Sequence, residues 1–199
     1  MGRTLWPLAM AVGVGVLGLG MGPGVGTSVG WVDMTFLNNQ LEFAAHREGG
    51  EFSPLRLAWS LGLEVPVWSV FAVGAEGTFV RGQAGGRVVQ EQYIVSLSVS
   101  AVFALAFGLL GWPVEVSLGG TGCWARALGL VDGWGLGLGG RASLWTQLFS
   151  LGPIRGGVQV TFVYLPIPSL YNERGRIESR GWPGGDFTGV YLGVSLGWK

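Results

Sequence analysis

Residues 189–199 read GVYLGVSLGWK, and the fold turns on which faces of this segment meet water. Val190, Leu192, Val194, Leu196 and Trp198 fall on every second position, with Tyr191, Gly193, Ser195 and Gly197 between them. Alternation with a period of two is the signature of an extended strand, whose side chains point to opposite faces. In a soluble sheet the outer face would carry charge. Here no charged residue stands between Asp186 and Lys199.

The same pattern recurs along the chain. It appears in PLRLAWSLGLEV (54–65), SVFAVGAEGTF (69–79), QYIVSLSVSAVF (92–103), PVEVSLGG (113–120), GLGLGGRASLW (135–145) and GGVQVTFVYL (156–165). The bulky face carries Leu57, Trp59, Leu61, Val95, Leu97, Val116, Val160 and Phe162; the other carries Gly, Ser, Ala and Thr with a few charges and amides. A less regular copy, VGWVDMTFLNN (29–39), sets Val32, Met34 and Phe36 against Asp33 and Thr35. With the terminal segment, eight strands are expected. IVSLSVSAVFALAFGLLGW (94–112) is nearly long and apolar enough for a transmembrane helix. However, Ser96, Ser98 and Ser100 continue the two-residue phase of Gln90 and Gln92, which a lipid-embedded helix has no reason to keep.

Composition agrees with a membrane setting. Of 199 residues, 49% are hydrophobic and 12% charged, about half the charge usual for soluble domains. The mean hydropathy is +0.46. A formal net charge of zero points away from nucleic acid. The amino terminus, MGRTLWPLAMAVGVGVLGLGMGPGVG, has the layout of a signal peptide: one Arg, an apolar run, then small residues. The expected organisation is a signal peptide over 1–23 and one barrel domain over 24–199.

In hydrocarbon, unpaired backbone groups find no water, so strands span a bilayer only as a closed barrel. Eight tilted strands of about 9–11 residues fit the chain, and an eight-stranded barrel has room inside only for side chains. The expected fold is therefore a closed antiparallel up-and-down transmembrane β-barrel, greasy side to lipid and small side enclosed. The connections agree: EVPVW (64–68), FGLLGWP (107–113) and SLGPIRG (150–156) are short. NNQLEFAAHREGGEFSP (38–54), CWARALGLVDGWG (123–135) and PIPSLYNERGRIESRGWPGGD (166–186) are longer and carry much of the charge, and only GQAGGR (82–87) is a brief odd connection. Short periplasmic turns and long outer loops are the habit of such barrels. Trp59, Trp68, Trp112, Trp124, Trp134, Trp145 and Trp198 lie mostly near segment ends, as interfacial girdles require.

On these features the chain resembles the small outer-membrane β-barrel proteins of bacteria with a Gram-negative-type envelope, the OmpA-transmembrane-domain-like and OmpW-like group. The resemblance is one of pattern, over residues 25–199. It implies a place in the outer membrane, lipid as surroundings, and insertion by the barrel assembly machinery. That machinery reads an aromatic at the end of the last strand; here the match is Trp198, one place from the end.

The lumen should hold charges in pairs, because an unpaired charge there is expensive. Arg56 and Glu76 stand ten residues either side of Pro66, and Glu115 and Arg141 stand thirteen either side of residue 128. Two cross-strand Arg–Glu pairs are expected, with Gln90, Gln92, Gln159 and Tyr191 as hydrogen-bonding neighbours. Enzymatic readings are weak. His46, the one histidine, sits in AAHREGG (44–50) with Glu42, Glu48 and Glu51 nearby but no Ser at short spacing, unlike the lipid-A-modifying barrels. GLGLGG (135–140) lies within a strand pattern and is no phosphate loop. Cys123 and His46 alone make no metal set, and no cofactor is expected. NERGRIESRG (172–181) reads as an exposed loop, with contact to anionic lipopolysaccharide as the alternative. Three functions stay open: a structural or interaction barrel of the outer membrane, a narrow pore for ions or small apolar solutes, and a secreted soluble ligand-binding barrel.

Overall fold

The computed structural model describes residues 23–48, 50–68, 70–85, 88–106, 113–177 and 185–198. The signal-peptide reading falls almost wholly outside these residues, as do Trp112 and the fourth connection. Eight antiparallel strands make one ring: β1 (Gly24–Asp33), β2 (Leu57–Trp68), β3 (Phe71–Ala84), β4 (Val88–Ala106), β5 (Pro113–Gly129), β6 (Gly133–Leu151), β7 (Ile154–Tyr164) and β8 (Thr188–Trp198). Each pairs with the next in sequence, and β8 pairs back onto β1 from Gly197–Gly24 to Thr188–Asp33. The sheet therefore has no free edge.

The register sets the shape. Stepping across the ring from Trp145 through Gln159, Gly193, Ser28, Ser60, Thr78, Ile94 and Ala125 returns to β6 at Gly135, ten residues from the start. That stagger over eight strands tilts them by roughly 40° to the axis. Leu57, Trp59, Leu61, Val95, Leu97, Val160, Phe162, Val190, Leu192, Val194 and Leu196 are all exposed on the outside, and Val116 is half-buried there. Trp31, Trp59, Tyr93, Trp124, Trp134 and Tyr164 ring the outside towards the loops; Trp68, Phe71, Phe103, Phe149 and Trp198 ring it towards the turns. On β4 the outer face from Tyr93 to Phe103 spans about 25 Å of barrel height, the usual apolar band of a spanning barrel. Among the described residues no charged side chain faces outward between the two rows.

At the turn end β2 meets β3 across residues 69–70, and β6 meets β7 across Gly152–Pro153, where Gly152 takes φ +59°. The other end departs from the sequence reading in three ways. First, β1 stops at Asp33 and residues Thr35–Glu48 form a helix, α1, where a strand end and a loop were expected. Val32, which follows the outward Trp31 in β1, and Met34 are buried inside the barrel and not on its outer face. Leu37, Leu41 and Ala45 are buried along one face of α1, four residues apart as the helical period demands. Asn38 ties the helix to the chain before β2: its amide donates to the Leu55 carbonyl at 3.2 Å and accepts from the Leu55 N–H at 2.7 Å. Second, β5 continues through Cys123–Gly129, leaving only residues 130–132 as the fifth connection. Third, the chain after β7 turns into the barrel mouth and buries Leu165, Ile167 and Leu170, with Phe187 from its far end.

The glycines of GWGLGLGG (133–140) make that inward turn feasible. A Cβ on Gly139 would stand 1.9 Å from the Tyr164 carbonyl oxygen, and one on Gly137 would stand 2.7 Å from that of Pro166. The incoming segment thus lies directly on bare backbone, the close approach that only glycine permits. Gly139→Val should expel residues 165–170 from the mouth. The expected readout is new proteolytic cleavage near Arg174 and Arg176 in an otherwise protected barrel; an unchanged digest would show that the segment is held elsewhere.

Candidate functional site

Two regions divide the interior. The loop-end half is an apolar plug in which Leu41, Leu55, Val80, Ile94, Leu165, Ile167 and Leu170 are all 2% exposed or less. Gln90 closes its edge by donating to the Val131 carbonyl at 3.1 Å and accepting from the Val131 N–H at 2.8 Å. Gln92 lies beside it, buried, with Oε1 unpartnered among the described residues. His46 sits exposed on α1, its Nδ1 3.2 Å from the Glu42 carbonyl oxygen.

Below the plug lies a charged layer. Arg141 Nη1 is 3.5 Å from Glu76 Oε2 and donates to Ser98 Oγ at 3.3 Å. Only a gap of about 10 Å³ separates this pair from Leu165 and Phe187 above it. Beneath it opens a cavity of about 170 Å³ that reaches the turn end between Trp68 and Trp198. Its walls carry Glu64, Glu115, Arg155, Gln159 and Tyr191. Gln159 Nε2 donates to Thr161 Oγ1 at 3.0 Å. Trp145 points into this cavity, not to the outer girdle, and donates from Nε1 to Ser195 Oγ at 2.7 Å.

The expected charge pairs form differently. Arg56 is exposed at the loop end and makes no ion pair among the described residues. Glu76 stands opposite Gly62, and Glu115 opposite Trp145. The reason is register. The Leu63–Ala75 pair centres the first hairpin at residue 69, and the Trp124–Leu136 pair centres the other at residue 130. The expected centres were 66 and 128. Glu76 then meets a partner three strands away, because side chains in so narrow a lumen reach across it. No spacing within one hairpin could have identified that partner. Arg155 and Glu64, adjoining the same cavity, were missed as site residues. Their signal was present: each occupies an inward phase of its strand.

No protein-family model matches the chain, and no curated protein matches it. Among solved structures, Neisserial surface protein A (NspA) is similar, with a TM-score of 0.52 over 89% of this chain and 97% of that chain at 10% identity. At that identity the likeness concerns the fold alone, a closed eight-stranded antiparallel β-barrel.

Proposed function

We propose that the chain is an outer-membrane β-barrel with a sealed lumen, serving a structural or interaction role through what it displays at its loop end. One observation carries the reading: a closed barrel whose outer face is bulky, apolar and, among the described residues, free of charge for about 25 Å between two aromatic rows. A secreted soluble barrel would need charge on that face. The fold shared with NspA, a Neisserial surface protein, supports the same placement. The turns then face the periplasm, α1 and the 165–187 connection face outward, and the barrel assembly machinery inserts the chain with Trp198 at the end of its last strand. The plug and the Glu76–Arg141 pair favour a closed interior over a pore.

Two measurements test this. The protein should fractionate with membranes and migrate faster on a gel unheated than boiled, as folded barrels do. In planar bilayers it should give no stepwise conductance. Recovery from the aqueous fraction would defeat the membrane reading; regular single-channel steps would defeat the sealed lumen.

A further inference from the structure

The turn-end cavity is walled by hydrogen-bond donors that the protein itself leaves unanswered. Arg155 lines it half-buried and makes no ion pair or hydrogen bond among the described residues, and its Nε is buried without an acceptor. Arg141 gives Nη1 to Glu76 and Ser98 and leaves Nε unpartnered. The Tyr191 hydroxyl is a third buried group without a partner, on a side chain 2% exposed. A buried donor without an acceptor is costly, and a guanidinium has only donors to offer. The cavity therefore suits a guest that brings oxygen acceptors. Glu64, Glu76 and Glu115 stand around it together with the two arginines. A charged guest of either sign would leave water and meet groups of its own sign. A neutral hydroxyl avoids this, because it accepts from a guanidinium or a phenol and donates to a carboxyl or to the Gln159 amide oxygen.

Two aromatic rings give the wall its shape. A Cβ on Gly157 would stand 2.5 Å from Trp145 Cε2, and one on Gly30 would run into the Tyr191 ring. Each ring thus rests on bare backbone, and the Trp145 Nε1 bond to Ser195 Oγ at 2.7 Å holds the indole in place. The cavity's volume of about 170 Å³ exceeds the roughly 150 Å³ that admits benzene, which leaves room for one six-membered ring and its substituents. We propose that this cavity binds a single neutral sugar ring, entering from the turn end between Trp68 and Trp198. Arg155 donates to its hydroxyls, Glu64 and Glu115 accept from them, and its C–H face lies on the Trp145 indole. The site lies in the turn-end half of the lumen and stands whichever way the conductance measurement falls.

The test is calorimetric titration of the full chain in micelles of a detergent without a sugar headgroup, with empty micelles as the blank. D-glucose and its epimers D-galactose and D-mannose are the probes. At least one should bind saturably, one to one, with a Kd of about 1 mM or tighter. Cyclohexanol, a six-membered ring with one hydroxyl, should bind at least about tenfold more weakly. The charged counterparts glucosamine and glucuronate should be weaker than the sugar as well. Arg155→Ala should weaken the preferred sugar about tenfold, and Trp145→Ala about threefold to tenfold, each with heat-modifiable migration retained. If one variant does not fold, the other carries the test. No saturable sugar binding to the parent protein, binding of cyclohexanol or a charged counterpart as tight as the sugar's, or unchanged affinity in a folded variant would each overturn the proposal.

Discussion

Leu97→Arg is expected to cut the yield of folded, membrane-inserted barrel, by about 2–4 kcal/mol of folding stability in bilayers. Leu97 is 64% exposed, at mid-height on the outer face of β4, with Ala75 and Gly122 opposite it on the flanking strands. On a water-exposed face this change would be harmless, since it removes a bare leucine and adds a solvated charge. In a bilayer the guanidinium must lie in hydrocarbon or drag water and headgroups to itself. The sign of the effect therefore separates the two solvents. Refolding into lipid vesicles, titrated with denaturant, supplies the measurement. A variant as stable as the parent, or one newly soluble without detergent, would refute the membrane placement. Ser98→Thr, one residue along and facing inward, is the control for local damage to β4.

That experiment tests the part of the fold most legible in the sequence. Alternation settles which residues share a face, because a one-residue slip would exchange every side chain between lumen and exterior. Leu57, Val95 and Leu192 all stand where their phase puts them. Alternation is silent about where a strand begins or ends. Met34 and Phe36 keep a strand-like phase past the point where β1 has stopped, and Asn38, expected to open a long loop, instead fastens α1 to Leu55. The helical spacing of Leu37, Leu41 and Ala45 was there to find, but it overlaps that extension of the strand pattern. CWARALG (123–129) misled in the opposite way: Ala125 and Ala127 are inward strand residues whose small size suits a narrow lumen. The plug was the least legible feature. It depends on the 165–170 segment lying against Gly135, Gly137 and Gly139, a contact between separate chain segments that no local period records.

Glu76→Ala is expected to cost about 3 kcal/mol, because it leaves a largely buried guanidinium without its carboxylate. Arg141 would keep the Ser98 hydroxyl at 3.3 Å, and its Nε is already unpartnered. One neutral acceptor does not offset the loss of a charge partner. The double variant Glu76→Ala/Arg141→Ala should recover most of the loss, since it removes the stranded charge along with its partner. Denaturant titration of the three proteins in vesicles measures the coupling. A single variant as stable as the parent would mean that cavity water already solvates Arg141, and a double variant no better than the single would mean that the pair is not the source of the cost. Conductance distinguishes this pair from a gate. Because Leu165 and Phe187 close over it across a gap of only about 10 Å³, with the plug residues Leu41, Leu55 and Ile167 buried in the loop-end half, neither variant should pass ions. Current through Glu76→Ala would instead show that the apolar plug leaks and that the ion pair alone holds the lumen shut.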